Sequence, residues 1–361
     1  MKTGTHDVSS LFAARLSSVP DFSQQNLATV QRLLDDELAG HNRVMEEMLG
    51  ELADVTTDRI RTYGSTQGGS MVETDEYGRA PTQKEAPGET LGFPLKRFQY
   101  AVGWTDVWFD IHKPIDMAVA VAGAQSAHRQ RVAWDIKNAL FQSANYTFTD
   151  HLVDNVVVGG TNGVKRLLNA DSTTIPVSPS GTTFTGSSHT HYVGEASYTA
   201  AFLTTEIANV TEHGHTADMR VYINSAQETA TRAFTGFVAY VESRVQNLTA
   251  GLVAVGRSLD VNAPIDNRAI GLFGGAEVWI KPWVPANYVF IFDAAGPKPL
   301  VFRQRDQTVL QGLRLKATNR AFPLEAEFFV AEYGISAWNR TNGSVLYIAN
   351  ATYADYAAAA P

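Results

Sequence analysis

A long alanine-rich segment limits the possible folds of this chain more than any other feature of the sequence. It runs from Pro114 to Phe141 without a second proline, and proline suits the first position of a helix because its missing N–H would be unpaired there. Asp116 adds negative charge at the positive end of the helix dipole. At 1.5 Å per residue such a helix is roughly 40 Å long, so we expect it to cross the fold as a spine.

The apolar side chains of this segment recur at helical spacing and predict one broad buried face. They are Met117, Val121, Ala124, Val132, Trp134, Ile136 and Leu140. Gly123 lies in the same segment, where a glycine costs about 1 kcal/mol relative to alanine. We therefore expect another part of the chain to pack closely against Gly123.

The residues before the helix predict two long paired strands. Residues 89–102 and 104–111 are rich in aromatic and β-branched side chains, and Gly103 between them would form the bend. A linker rich in glycine and proline precedes them at 64–88. Because linker and helix bound the hairpin on its two sides, we predict an extended arm, and an exposed aromatic arm implies a partner surface.

The rest of the sequence predicts helices and strands in mixed order, which is typical of an α+β fold. From Ser23 to about Tyr63, apolar residues recur in steps of three and four. This pattern predicts either a helix whose apolar seam packs on another segment or subunit, or an ordinary amphipathic surface helix. Later residues predict a helix near Tyr198–Val210 and strands at 219–224 and 276–280. Beyond residue 298 the pattern is one of strands, and basic side chains alternate along two of them: Arg303, Arg305, Arg314 and Lys316.

Composition excludes several classes of function. The 361 residues contain no cysteine, which excludes disulfides, thiol catalysis and cysteine-ligated metals. The longest apolar run, at 117–124, is too short to cross a bilayer, and the first residues lack the pattern of a secretory signal, so we expect no membrane partner. A net charge of −8 argues against phosphate binding as the main activity.

Two His-x-His pairs are the strongest candidates for chemistry. Residues His189 and His191 form one pair, and His213 and His215 form the other. Alternate strand residues share a face and could share a metal, but neither pair has a third ligand at regular spacing, and both lie in polar segments. The glycine-rich segment 159–163 lacks the lysine and hydroxyl of a phosphate-binding loop and is interpreted as a turn. The sequence therefore predicts no catalytic residue, no metal ligand and no cofactor.

The order of predicted elements, with two local segments, resembles the major capsid protein of tailed bacteriophages, which has the HK97-like fold. Residues 271–287 (GLFGGAEVWIKPWVPAN) are similar to a family segment in which a glycine turn leads into a strand and then a proline. Residues 329–338 (FVAEYGISAW) resemble its closing strand. The likeness covers nearly all of the chain from Gly88 onward, and it depends more on architecture than on either segment.

The resemblance implies an α+β fold in five segments. They are an N-terminal helical arm and linker (1–87), an extended hairpin called the E-loop (88–112), a peripheral domain with the spine helix (113–194), an axial domain (195–298) and a return to the peripheral domain (299–361). It also implies a structural protein rather than an enzyme. Copies of the chain would form the pentamers and hexamers of an icosahedral shell around double-stranded DNA, in a virion capsid assembled in the host cytoplasm.

The resemblance also implies where neighbouring subunits touch. The expected interface residues are Phe93, Lys96, Arg97, Phe98, Tyr100, Trp104 and Trp108 of the E-loop, with Arg303, Arg305, Arg314 and Lys316 of the basic strands. We expect the basic side chains to form ion pairs with acidic residues of another subunit. Some relatives join subunits covalently through a lysine and an asparagine, but no motif ties Lys96 to an asparagine here, and we expect no such bond.

The implied partners are other copies of the chain, then scaffold, portal or decoration proteins, and packaged DNA through weak non-specific contacts. Two other functions stay open at this stage. One is an encapsulin-type compartment, which has the same fold and packages an enzyme. The other is a metalloenzyme that uses the two His-x-His pairs.

Overall fold

The computed structural model describes residues 49–62, 71–80, 82, 89–112, 114–160, 163–242, 258–259, 267–321, 324–357 and 360–361. Most of the predicted N-terminal helix lies outside these residues. Its described end is helical only at 49–52 and then forms strands at Ala53–Thr56 and Ile60–Thr62. The prediction of helix up to residue 63 is therefore wrong, and the β-branched side chains in this part favour the strands.

The described residues form eighteen strands. They are β1 Ala53–Thr56, β2 Ile60–Thr62, β3 Thr90–Gly92, β4 Lys96–Thr105, β5 Phe148–Thr149, β6 Val157–Val158, β7 Tyr192–Gly194, β8 Met219–Ile223, β9 Val238–Ala239, β10 Val241–Glu242, β11 Ser258–Leu259, β12 Arg268–Phe273, β13 Ala276–Ile280, β14 Tyr288–Asp293, β15 Leu300–Gln304, β16 Arg314–Ala321, β17 Leu324–Ala337 and β18 Ser344–Tyr347. The α-helices are α1 Asp106–Ile111, α2 Pro114–Phe141, α3 Ala200–Thr211 and α4 Glu228–Arg232, and single 3-10 turns lie at Ser225–Gln227 and Thr308–Leu310.

A seven-stranded mixed sheet forms one half of the core. Its order is β7-β18-β14-β8-β13-β12-β9, and α3 buries Leu203, Ile207 and Val210 in the apolar cluster of this sheet. The predicted helix near 198–210 and the predicted strands at 219–224 and 276–280 are thereby confirmed. Strand β18 belongs to this sheet although it comes from the segment predicted as 299–361. The sheet thus crosses the expected boundary at residue 298, and the division into peripheral and axial domains stays a prediction.

A second sheet is organised around the fourteen-residue strand β17. Its C-terminal half pairs with β15, which pairs in turn with β1, while its N-terminal half pairs with β16. Strand β4 pairs with β17 along the opposite edge, from Lys96 opposite Tyr333 to Thr105 opposite Leu324. We call β4, β16 and the N-terminal half of β17 the strand ladder.

The spine helix is confirmed over the predicted range, since α2 spans the 28 residues Pro114–Phe141. Its face toward the sheets buries Ala124, Val132, Ile136 and Leu140 in the largest apolar cluster. A β-carbon at Gly123 would lie 3.3 Å from the hydroxyl oxygen of Tyr100. The predicted close packing at this glycine is therefore confirmed. No helix in the described segments is both long and apolar enough to span a membrane.

The predicted hairpin of residues 89–111 does not form. Strand β3 pairs with β2, β4 runs straight through Gly103, and residues 106–111 form helix α1 instead of a second strand. The helix begins here because Thr105 is its N-cap, whose hydroxyl oxygen accepts a hydrogen bond from the N–H of Trp108 at 3.2 Å. The partner of β4 is the distant strand β17.

Candidate functional site

The predicted E-loop residues are divided between the core and the surface. Phe93 is fully buried against Leu91, Val301 and Trp338, and Trp104 is only 5% exposed. The expectation that these two aromatic residues are exposed on an arm is wrong. Helices α1 and α2 cover the face of the ladder that holds Trp104, and Phe93 lies in a separate small cluster before β4. Both side chains therefore stabilise the subunit itself.

Other predicted interface residues of β4 reach the surface. Arg97 is exposed on the outer face of β4, which is formed by every second residue from 97 to 105. Tyr100 is also exposed, but it lies on the opposite face, toward Gly123 of α2. Lys96, Phe98 and Trp108 are half-buried. The Phe98 ring lies 4.8 Å from the Tyr333 ring, and the guanidinium of Arg131 lies 4.5 Å from the Phe98 centroid. The outer face of β4 thus keeps a surface that can meet another subunit.

Exposed apolar side chains continue this surface at the far end of the ladder. Leu324, opposite Thr105, is 60% exposed. Val107 and Ile111 lie four residues apart on one face of α1, and both are more exposed than Leu324. Single exposed apolar residues are ordinary, but several at one end of a sheet are typical of a contact site.

The basic strands form ion pairs within the chain. The buried guanidinium of Arg303 donates to the buried carboxylate of Asp150 at 2.8 Å and to the Phe93 carbonyl at 2.8 Å. Arg305 and Arg314 approach the Glu332 carboxylate at 3.6 and 3.1 Å. The expectation of ion pairs with another subunit is therefore wrong for Arg303, because the buried carboxylate of Asp150 in the same chain neutralises it. Arg305 and Arg314 share the single carboxylate of Glu332. Lys316 is exposed.

The surface around Glu332 nevertheless has excess positive charge. Arg97 also lies 3.9 Å from this carboxylate, so three guanidinium groups face a single carboxylate. An acidic group of a neighbouring subunit would be attracted to this place.

A buried ion network joins segments that are distant in the sequence. Arg340 is completely buried, and its guanidinium binds Glu89 at 3.0 Å and Asp171 at 3.0 Å. Lys165 binds the same two carboxylates at 3.1 and 2.9 Å. Partial burial acts to raise the pKa of Asp171, but Arg340, Thr173 and Lys165 outweigh it and hold that pKa well below its ordinary value. The network fixes the entry to β3 against the loops around residues 165 and 340.

The two His-x-His pairs meet in one cluster. The Nε2 atoms of His189 and His213 lie 3.0 Å apart, and each lies 3.2 Å from the Nε2 atom of His191. The carboxylate of Glu212 approaches His189 Nε2 at 3.4 Å and His213 Nε2 at 3.9 Å. His215 points elsewhere, with Nε2 at 2.9 Å from the Thr341 hydroxyl. The expectation that neither pair has a third ligand is wrong, because α3 brings Glu212 and His213 back to the first pair.

Burial sets the charge state of the cluster. It lowers the pKa of His213 to about 3 and the pKa of His191 well below its ordinary value, and the neighbouring imidazoles lower both further. Burial also lowers the pKa of His189. All three rings are therefore neutral at pH 7, and a neutral imidazole is the form that binds metals.

The chain matches no protein-family model and no curated protein sequence. Its fold is similar to that of a chain from Mycobacterium phage Patience, with a TM-score of 0.69 and 16% sequence identity over 92% of each chain. At this identity the likeness shows the fold alone, and the chain has the fold of that phage protein. This finding agrees with the α+β class and the capsid resemblance read from the sequence.

Two other solved structures show weaker likeness. The capsid of a native GTA particle has a TM-score of 0.48 at 15% identity, over 83% of this chain and 89% of the other. The holo-SrpI encapsulin complex of Synechococcus elongatus has a TM-score of 0.42 at 10% identity, over 87% and 91%. Neither likeness is close enough to support an inference.

Sequence reasoning missed the contacts of this fold that join residues far apart in the sequence. Glu89 and Arg340 are 251 residues apart, and no local pattern links them. The histidine cluster had one usable signal, since Glu212 directly precedes His213. At the end of a predicted helix, these two residues are two further ligands that could join the first pair.

Proposed function

We propose that this chain is a major capsid protein, a structural protein and not an enzyme. Copies of it would assemble into the pentamers and hexamers of an icosahedral shell that encloses double-stranded DNA. The observation that carries the proposal is the likeness to a phage protein along 92% of both chains, with a TM-score of 0.69. A match of that extent leaves out only 8% of either chain.

The surface of the ladder supports self-assembly. Leu324 is exposed at 60% next to the exposed face of α1, and Arg97 is exposed on the outer face of β4. We infer that this apolar end and the outer face of β4 contact a neighbouring subunit. The excess positive charge around Glu332 and the exposed Lys316 would orient that contact, since complementary charge acts mainly on specificity and rate of association. Scaffold, portal or decoration proteins would be further partners.

Negative-stain electron microscopy of the purified protein after size-exclusion chromatography tests the proposal. We expect shells, tubes, or rings of five or six subunits. A monomer or dimer that persists at high concentration and with crowding agents would contradict the proposed function. The content of the shells separates a virus capsid from an encapsulin-type compartment, because a compartment would co-purify with a single enzyme as cargo.

A matched pair of variants tests the surface itself. Leu324→Asp places a charge on the apolar end of the ladder, and we expect it to abolish assembly while the circular dichroism spectrum stays unchanged. Val309→Asp changes an equally exposed valine in the turn between β15 and β16 and should leave assembly intact. Assembly of Leu324→Asp at the wild-type concentration would refute the role of this surface.

A further inference from the structure

The histidine cluster has a proton problem that no arrangement of hydrogen bonds solves. His191 Nδ1 lies 2.7 Å from the Gly343 carbonyl oxygen. A carbonyl only accepts, so Nδ1 carries the proton and the Nε2 atom of this neutral ring presents a lone pair. The Nε2 atoms of His189 and His213 lie within 3.2 Å of that lone pair and 3.0 Å of each other.

Every placement of protons on the other two rings leaves an unfavourable contact. If both Nε2 atoms carry a proton, the two N–H groups face each other at 3.0 Å. If only one does, two lone pairs face each other. Among the described residues, His213 Nδ1 and Glu212 Oε1 are also buried without a hydrogen bond. A cation among the three Nε2 atoms would remove the conflict between these atoms, because all three would then present lone pairs to it, and it would give the Glu212 carboxylate a partner.

We propose that His189, His191, His213 and Glu212 bind a zinc ion. Tetrahedral zinc with nitrogen and oxygen ligands at about 2.0–2.2 Å holds its ligand atoms roughly 3.3–3.6 Å apart. The three Nε2 atoms are separated by 3.0–3.2 Å, and the carboxylate oxygen lies 3.4–3.9 Å from two of them. Small movements of the side chains bring all four atoms to this spacing.

The surroundings are those of a structural metal site. Metal-binding histidines commonly donate their second N–H to a carbonyl or carboxylate, which fixes the ring, and His191 does so to Gly343. The Phe184 ring covers the cluster, 4.8 Å from the His189 ring and 4.4 Å from the His213 ring, and shields it from solvent. Since four protein groups fill a tetrahedral shell, no position is left for a substrate, which sets the site apart from that of a metalloenzyme.

The ion would connect three parts of the chain. His189 and His191 precede β7, Glu212 and His213 end α3, and the Gly343 carbonyl precedes β18. These parts surround one edge of the seven-stranded sheet. We compare the chain with free zinc at about a hundred times Kd and the same chain with EDTA. Removal of the ion should lower the midpoint of thermal unfolding by roughly 5 °C.

The experiment measures metal content in the purified full-length chain after zinc addition and gel filtration. Mass spectrometry of the metal should give about one zinc ion per chain in the wild type. His189→Gln and His213→Gln should lose the ion and become insensitive to EDTA. His215→Gln is the matched control, because His215 lies in the same loop but bonds to Thr341, and it should keep the ion.

A second measurement uses the wild type alone and does not depend on the folding of any variant. Cobalt(II) replaces zinc, and a tetrahedral site gives an intense visible spectrum that an octahedral or solvated ion does not. The proposal is overturned if the wild type binds no zinc and gives only the weak spectrum of solvated cobalt. It is also overturned if His189→Gln holds as much zinc as His215→Gln.

Discussion

Glu206 should make the stability of the subunit depend on pH in the direction opposite to that of a typical carboxylate. It lies on the buried face of α3 at 1% exposure and is held by the Ser344 hydroxyl and by Asn209 Nδ2 at 3.2 Å. Burial, with a smaller contribution from the negative charge of Glu195, raises the pKa of Glu206 from an ordinary value of 4.5 to about 7. The hydrogen bonds offset only part of this effect.

The sign follows from proton binding. Between pH 4.5 and pH 7 the unfolded chain releases the Glu206 proton while the folded chain keeps it, so the free energy of unfolding falls as the pH rises. The difference of 7 and 4.5 at 1.36 kcal/mol per pKa unit gives a loss of about 3 kcal/mol. Above pH 7 both states are ionised, and this contribution to the pH dependence ends.

Glu206→Gln removes the titrating carboxyl group but keeps one side-chain oxygen and a side chain of nearly the same shape. We expect the variant and the wild type to differ by a constant amount below pH 4.5, and the variant to gain about 3 kcal/mol relative to the wild type by pH 8. Urea denaturation of the unassembled subunit, with EDTA in every sample, measures this difference. Because the two proteins are compared at each pH, all other titrating groups cancel.

Glu76→Gln is the matched control, since Glu76 is exposed and its substitution should follow the wild-type profile. A difference between Glu206→Gln and the wild type that stays constant from pH 4 to pH 8 would refute the reasoning. That result would mean that Glu206 has an ordinary carboxyl pKa in the folded protein.

Three further substitutions test the packing of the fold, each by urea denaturation. Gly334→Ala should destabilise the subunit by about 1–3 kcal/mol, because its β-carbon would lie 2.0 Å from the Pro94 carbonyl oxygen; unchanged stability would contradict that close approach. Asp150→Ala should cost about 3–5 kcal/mol by leaving Arg303 buried without its carboxylate, and adding Arg303→Met should restore part of the loss. Thr199→Ala removes the N-cap of α3 and should cost about 1 kcal/mol; a cost near zero would mean that the cap does not stabilise this helix.

Local signals in the sequence were sufficient to predict α2. Proline at its first position, the alanine-rich composition and the spacing of apolar residues all act within a few turns of helix. The same holds for α3 and for β13, whose patterns are short and unbroken. In each case the information lies inside the element itself.

The predicted hairpin failed because a strand pattern does not identify its partner. Residues 96–105 have the alternation of a strand, and they form one, but they pair with residues 324–333, more than 200 positions away. Gly103 does not cause a bend, and a β-carbon added at this position would lie 3.6 Å from the Glu325 carbonyl oxygen, which is an ordinary contact. Thr105 followed by Asp106 is a local signal for the start of a helix, and the strand prediction for residues 104–111 did not take it into account.

The histidine cluster shows the same limit for a site. The first His-x-His pair has no further ligand among its sequence neighbours, and although Glu212 directly precedes the second pair, nothing local links it to His189 and His191. The length and direction of α3 bring Glu212 and His213 to His189 and His191, and these depend on how the helix packs across the seven-stranded sheet. The spacing of residues in the sequence does not determine how this helix packs.

The length of β17 has a mechanical consequence. At about 3.3 Å per residue its fourteen residues span roughly 46 Å, from the exposed end at Leu324 to the buried end at Ala337, and β4 is bonded to it over ten consecutive positions. A pull on the ladder along the strand direction loads all of these hydrogen bonds in shear at the same time, and they do not open one after another. The ladder would therefore transmit tension to the interior of the subunit, and β4 would stay paired with β17 under that load.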